Sequence, residues 1–249
     1  MSSNIISSLT VRRLISDIKE LKNSDLSKDG IYYKHDESNM LIGYALIIGP
    51  ENTPYEYGNF FFKFKFPYNY PHSPPVVTYH TNDGATRFHP NLYKSGKVCL
   101  SVLNTWKGEQ WTGCQTIQSI LLIISSILND YPLTNEPGIT KRHPDNESYN
   151  KIIKYKTLDI AINCILNKNN LPDEFTIFND EININYKKNY DKIKKSIKNK
   201  NNESINTGIY NLSIKTHYNR LEQLLDKYYN EMLLSDTMNT LDTISINEI

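Results

Sequence analysis

Phe60, Phe62, Phe64 and Phe66 alternate with Phe61, Lys63 and Lys65, and the run ends on Pro67, Pro71, Pro74 and Pro75. A period of two puts the even-numbered rings on one face of a strand and leaves the other face partly solvated. The prolines that follow are too dense for any regular element. A one-sided strand belongs in an antiparallel sheet, and the flanking sequence supplies partners. Ile31 to Tyr33 and Leu41 to Ile48 read as strands around the turn-like Asp36-Glu37-Ser38-Asn39, and Val76 to Tyr79 reads as a fourth. Before them, Val11, Leu14, Ile15, Ile18 and Leu21 fall at helical spacing, with Thr10 or Ser8 as the cap. The first eighty residues therefore read as one helix followed by a four-stranded antiparallel meander.

From Thr81 to Gly113 no long regular pattern appears, and a loop of that length in a compact domain usually carries function. Ile117 to Leu128 is a helix apolar almost all round, suited to the middle of a domain. After Pro144 strands vanish, and three helical stripes follow: Tyr149 to Ile165, Ile182 to Ile197 and Leu221 to Leu233. Lys200 to Thr207 reads as a polar linker, and the tail from Ser235 as loose. The fold class is α+β, with a core over residues 1–168 and a helical C-terminal extension over 169–249. Seven lysines between Lys187 and Lys200 read as the wet face of an amphipathic helix.

The 28 basic residues against 27 acidic leave a net charge of +1, which makes no case for nucleic acid or an anionic membrane as partner. Three cysteines, Cys99, Cys114 and Cys164, are an odd number with no pair at zinc-knuckle spacing, which argues against a disulfide framework and a metal site. Met1 to Thr10 does not read as a signal peptide, and Ile117 to Leu128 is about half a membrane span. The expected compartment is cytoplasmic or nuclear, where thiols stay reduced.

Cys99 is the sharpest chemical candidate. It stands at the exit of an irregular segment, where a nucleophilic thiol would be reachable, and Lys94 and Lys97 nearby would favour its thiolate. The alternative is a small buried hydrophobe. Cys164, on an apolar stripe, reads as core, and Cys114 as packing.

The segment Arg87-Phe88-His89-Pro90-Asn91-Leu92-Tyr93-Lys94-Ser95-Gly96-Lys97-Val98-Cys99-Leu100 resembles the active-site signature of ubiquitin-conjugating enzymes. In that family His-Pro-Asn precedes a thioester-forming cysteine, with the asparagine eight positions before it. Thr53-Pro54-Tyr55-Glu56 with Gly58, the Tyr70-Pro71-His72-Ser73-Pro74-Pro75 element, Trp111-Thr112-Gly113 and Asn135-Glu136-Pro137 resemble further family motifs in register. The match runs from about Thr10 to about Cys164. The short insertion between Trp106 and Trp111, together with the helical extension, is most similar to the larger class Z (Use1-type) members.

The resemblance implies an α+β fold of this kind and an acyltransferase. Cys99 would accept ubiquitin, or a ubiquitin-like protein, from an activating enzyme and pass it to a substrate lysine, usually with a ubiquitin ligase. No cofactor is bound; ATP is spent upstream. Asn91 is implied as an oxyanion donor or loop brace, and Glu136 as the carboxylate that positions or deprotonates the acceptor lysine. His89, Pro90 and Trp111 are implied as structural. His72, Thr112 and Gly113 fall at ligase-contact positions, where His72 and Gly113 depart from the usual residues. Tyr57 replaces a usual glycine. Two other readings remain: an inactive binding module of the same fold, and a cysteine hydrolase pairing Cys99 with a histidine such as His143.

Overall fold

The computed structural model describes residues 6–167 and 171–246, with side chains to residue 237. Residues 1–5 and the expected core–extension boundary at 168/169 lie outside the described residues. Helix α1 (Ser8–Ser24) is capped by Ser7, whose hydroxyl accepts from Thr10 N–H at 3.0 Å. The cap therefore lies one residue before Ser8 and three before Thr10, the two candidates. Thr10 sits inside the helix, buried, and donates to the Tyr68 and Tyr70 carbonyls at 2.8 Å each.

The sheet is an antiparallel meander in the order β1 (Ile31–His35), β2 (Ile42–Ile48), β3 (Asn59–Lys65), β4 (Val76–Tyr79). Register pairs Ala45 with Phe62 and Phe62 with Tyr79, so alternate residues share a face across the sheet. The inner face holds Ala45, Ile47, Phe60, Phe62 and Phe64. It packs with Leu14 of α1, with Ile120 and Ile124 of α2 (Ile117–Ile127), and with Tyr149 and Ile153 of α3 (Asp145–Lys156). Thr116 caps α2 in a reciprocal box with Ser119. A π-helical stretch, Thr157–Cys164, continues α3.

The outer face is also covered. Leu46, Tyr57 and Phe61 pack with Phe175, Phe178, Ile182 and Tyr186 of the extension. Phe61 is fully buried, with its ring 5.0 Å from that of Phe175. Burying a large apolar side chain is worth roughly 1.5–3 kcal/mol, so this wall outweighs the surface ion pairs Lys34–Glu181 and Lys63–Glu174. Tyr57, the departure from glycine, takes φ +66 and joins this wall.

Helix α4 (Asn179–Ile197) turns Ile182, Tyr186, Ile193 and Ile197 inward, as the stripe implies. Its lysines point outward, and Lys187, Lys192 and Lys194 pair with Asp236, Glu51 and Asp226. Strands do not end at Pro144: β5 (Ser204–Asn206) and β6 (Ser213–Lys215) form a hairpin where a linker was expected. Ile205 and Leu212 anchor it in the inner core. Helix α5 runs Tyr218–Ile246, so the stretch from Ser235 continues a helix rather than forming a loose tail. No helix among the described residues is long and apolar enough to cross a membrane.

Candidate active site

The segment between β4 and α2 is irregular, but it is tightly bonded. Bridges join His89 to Leu92, Leu92 to Val98 and Thr78 to Lys97. Gly96, at φ +86, makes the return turn that a side chain would strain. The turn brings Asn91 and Cys99 together. Cys99 N–H donates to the Asn91 carbonyl at 2.9 Å, and Asn91 Nδ2 donates to the Cys99 carbonyl at 2.6 Å. The eight-residue spacing is thus a closed loop fastened at its neck.

His89 is fully buried, and its Nδ1 accepts the Asn91 N–H at 2.9 Å. Burial pushes the imidazole down to about 3; the Ile127 carbonyl opposes this and the Arg87 charge adds to it. A neutral ring with Nδ1 occupied braces the loop. His143 instead accepts the Asp145 N–H at the start of α3. Among the described residues no imidazole hydrogen-bonds the Cys99 thiol, so the geometry of a hydrolytic Cys–His pair is lacking. Pro90 is buried, and its carbonyl accepts from Arg87 Nη2.

Cys99 itself corrects an expectation. It is 2% exposed rather than open at a loop edge. Val98 and Leu100 beside it are buried, and the Thr105 hydroxyl straps the strand exit by donating to the Val98 carbonyl and accepting from Leu100 N–H, both at 2.9 Å. The insertion folds back with it: a Cβ on Gly108 would stand 3.1 Å from Ser101 Cβ. Cys114 is exposed, and Cys164 is half-buried on the π-helical stretch.

Glu136 follows a short turn, Pro132–Asn135, and is half-buried. Its Oε2 accepts a hydrogen bond from the Tyr210 hydroxyl, seventy-four residues on in the extension. No hydrogen bond joins Glu136 to Cys99 among the described residues. The connection runs through Tyr210, whose ring lies 4.5 Å from the Arg87 guanidinium; Arg87 also rests 3.6 Å from the Tyr93 ring and holds the Pro90 carbonyl. Tyr210 and Thr105 were not singled out in the sequence, and Arg87 stood in the signature segment without a role, because each acts by a contact that no motif records.

A second cluster lies beside the first half of α1. Trp111 is buried and donates from Nε1 to the Pro71 carbonyl at 2.8 Å, which ties its loop to the element around the cis Tyr70–Pro71 bond. Arg13 donates to the Gly113 and Gln115 carbonyls and pairs with buried Asp17. His72, Thr112 and Gly113 are exposed on these two joined loops. No group of three or more His, Cys, Asp or Glu residues that could hold a metal occurs among the described residues.

The family model for ubiquitin-conjugating enzymes matches residues 13–157. The chain is 43% identical over 136 residues to ubiquitin-conjugating enzyme E2 Z of Homo sapiens, covering 53% of this chain and 38% of that one. The Danio rerio E2 Z is also 43% identical over 136 residues, covering 53% and 42%. The putative ubiquitin-conjugating enzyme E2 39 of Arabidopsis thaliana is 44% identical over 146 residues, covering 55% and 46%. The chain thus spans less than half the length of these relatives. The family match takes in the sheet, the fastened Asn91–Cys99 loop and Glu136 in one stretch covering more than half of the chain, and on that ground this protein belongs to the ubiquitin-conjugating enzyme family and is similar to its class Z members.

Proposed function

We propose that the chain accepts ubiquitin, or a ubiquitin-like protein, as a thioester on Cys99 from an activating enzyme and passes it to a substrate lysine, usually with a ligase. The observation that carries this reading is the mutual hydrogen bonding of Asn91 and Cys99, which fixes one thiol and one amide donor on a rigid neck. Loading exchanges one thioester for another: the Cys99 thiolate attacks the carrier's C-terminal carbonyl and the activating enzyme's thiolate leaves. In transfer, the acceptor ammonium loses a proton and its nitrogen attacks. The C–N bond forms, the C–S bond breaks, Cys99 leaves as thiolate, and the two protons shed by the nitrogen, one before attack and one after, pass to solvent. Asn91 keeps a second Nδ2–H beyond the one given to the Cys99 carbonyl, and this is the donor offered to the tetrahedral oxyanion. The exposed loops bearing His72, Thr112 and Gly113 are the proposed ligase face.

The burial of Cys99 favours a second reading, a binding module of the same fold without conjugating activity. The two separate in a charging assay with ubiquitin, ATP and a panel of activating enzymes. We expect a thiol-labile adduct on the wild-type chain, a thiol-resistant one on Cys99→Ser and none on Cys99→Ala, with Cys114→Ala and Cys164→Ala still charging. Iodoacetamide should label buried Cys99 more slowly than exposed Cys114, at the rate at which the segment around Cys99 opens. A Cys99 that never labels in the native protein, together with no adduct, establishes the module instead.

A further inference from the structure

The β5–β6 hairpin delivers a side chain to the candidate active site from the far part of the chain. Its loop holds Tyr210 at φ +62 and Asn211 at φ +50, left-handed values that asparagine adopts readily but that cost a tyrosine roughly 1–2 kcal/mol. Such conformations persist where their surroundings over-determine them. Here Ile209 N–H donates to the Asp145 carboxylate at 2.8 Å, the Thr207 hydroxyl donates to the Ile209 carbonyl at 2.8 Å, and Leu212 is sunk in the inner core. The result places the Tyr210 ring beside Arg87 and Tyr149, with its hydroxyl on Glu136.

We propose that Tyr210 is a positioning residue for acyl transfer: it holds Glu136 by one carboxylate oxygen and leaves the other to meet the acceptor ammonium. The assignment rests on the conjugating reading above. Among the described residues Oε1 of Glu136 has no hydrogen-bond partner, whereas Oε2 is taken. A free glutamate gives up roughly 1.5–2 kcal/mol of rotamer freedom when fixed, and the hairpin meets that cost before the acceptor arrives. Burial, and then the bond to Glu136, push the Tyr210 phenol well above its ordinary value, so it stays a donor through neutral pH. The same residue spans two loops, because its ring contact with Arg87 reaches the residue that holds the Pro90 carbonyl beside Asn91.

The test is single-turnover discharge of the preformed adduct on the full chain, onto free lysine and, separately, onto hydroxylamine, a nucleophile already neutral at pH 7. Tyr210→Phe keeps the ring and removes only the hydroxyl. We expect its loading to match wild type, its discharge onto lysine to slow about 5–10-fold, and its discharge onto hydroxylamine to stay within about 2-fold. Glu136→Gln should behave alike, and the double variant should be no slower than Glu136→Gln alone, because the two act as one unit. Wild-type discharge onto lysine by Tyr210→Phe overturns the assignment. So does equal slowing with both nucleophiles, which marks a general structural role, or additive slowing in the double variant. If the wild-type chain forms no adduct at all, the conjugating reading itself falls and this assignment with it.

Discussion

Asn91 spends one of its two amide hydrogens on the Cys99 carbonyl, and its backbone is held from both sides by His89 and Cys99. Truncation to alanine would strand a carbonyl within a partly buried loop, at a cost of about 1–2 kcal/mol. Asn91→Ala should therefore lower urea-unfolding stability by that amount and slow discharge of the Cys99 adduct onto lysine. If discharge slows while stability is unchanged, the side chain serves the oxyanion alone and not the loop. The closed loop of His89, Asn91 and Cys99 was legible through the signature that the segment resembles, because its hydrogen bonds are local to that segment. The exposure of Cys99 was not. Position at the exit of an irregular segment implied an open thiol, but Cys99 is buried between buried Val98 and Leu100, whose backbone the Thr105 hydroxyl bonds from six residues further on, contacts that composition does not encode.

At the scale of elements, the long periodic runs and the short strands beside them, β1 and β4, read correctly, whereas the short elements of the extension did not. The rings of Phe60, Phe62 and Phe64 announced β3, and the apolar run from Ile117 announced α2, because each repeats its signal over several turns or pleats. β5 and β6 have three residues each, with one buried position, Ile205, in the first, which is too little alternation to stand out from a polar linker. The short turn Asp173–Phe178 was missed for the same reason, yet it carries the side chain that seals the outer sheet face. Phe175 is fully buried, with its ring 5.0 Å from Phe61, 5.6 Å from Tyr44 and 5.0 Å from His80. Replacing it with alanine should cost about 3–5 kcal/mol in urea unfolding, as for other buried aromatic rings. A loss under about 1 kcal/mol would mean that the extension rests on the sheet without sharing its core.

For the molecule as a whole, the sheet acts as a wall common to two apolar cores, with Ala45 and Phe62 on one side and Leu46 and Phe61 on the other. The strands cannot unfold without exposing both, and the extension cannot leave without exposing Leu46, Tyr57 and Phe61. The β5–β6 hairpin adds a second tie, since Ile205 and Leu212 belong to the inner core although they lie in the extension. Surface pairs such as Lys192–Glu51 add little, so cohesion follows from shared apolar area. Chains of this length often unfold in steps, and the sequence alone suggested two units; a shared wall argues for one. The two tryptophans, Trp106 and Trp111, both stand in the segment between β4 and α2 and outside the extension, whereas far-UV circular dichroism draws heavily on α4 and α5. Urea transitions followed by the two signals should coincide in midpoint and slope. If circular dichroism falls first while tryptophan fluorescence holds, the extension is an independent unit, and Tyr210 reaches Glu136 from a separately folding body.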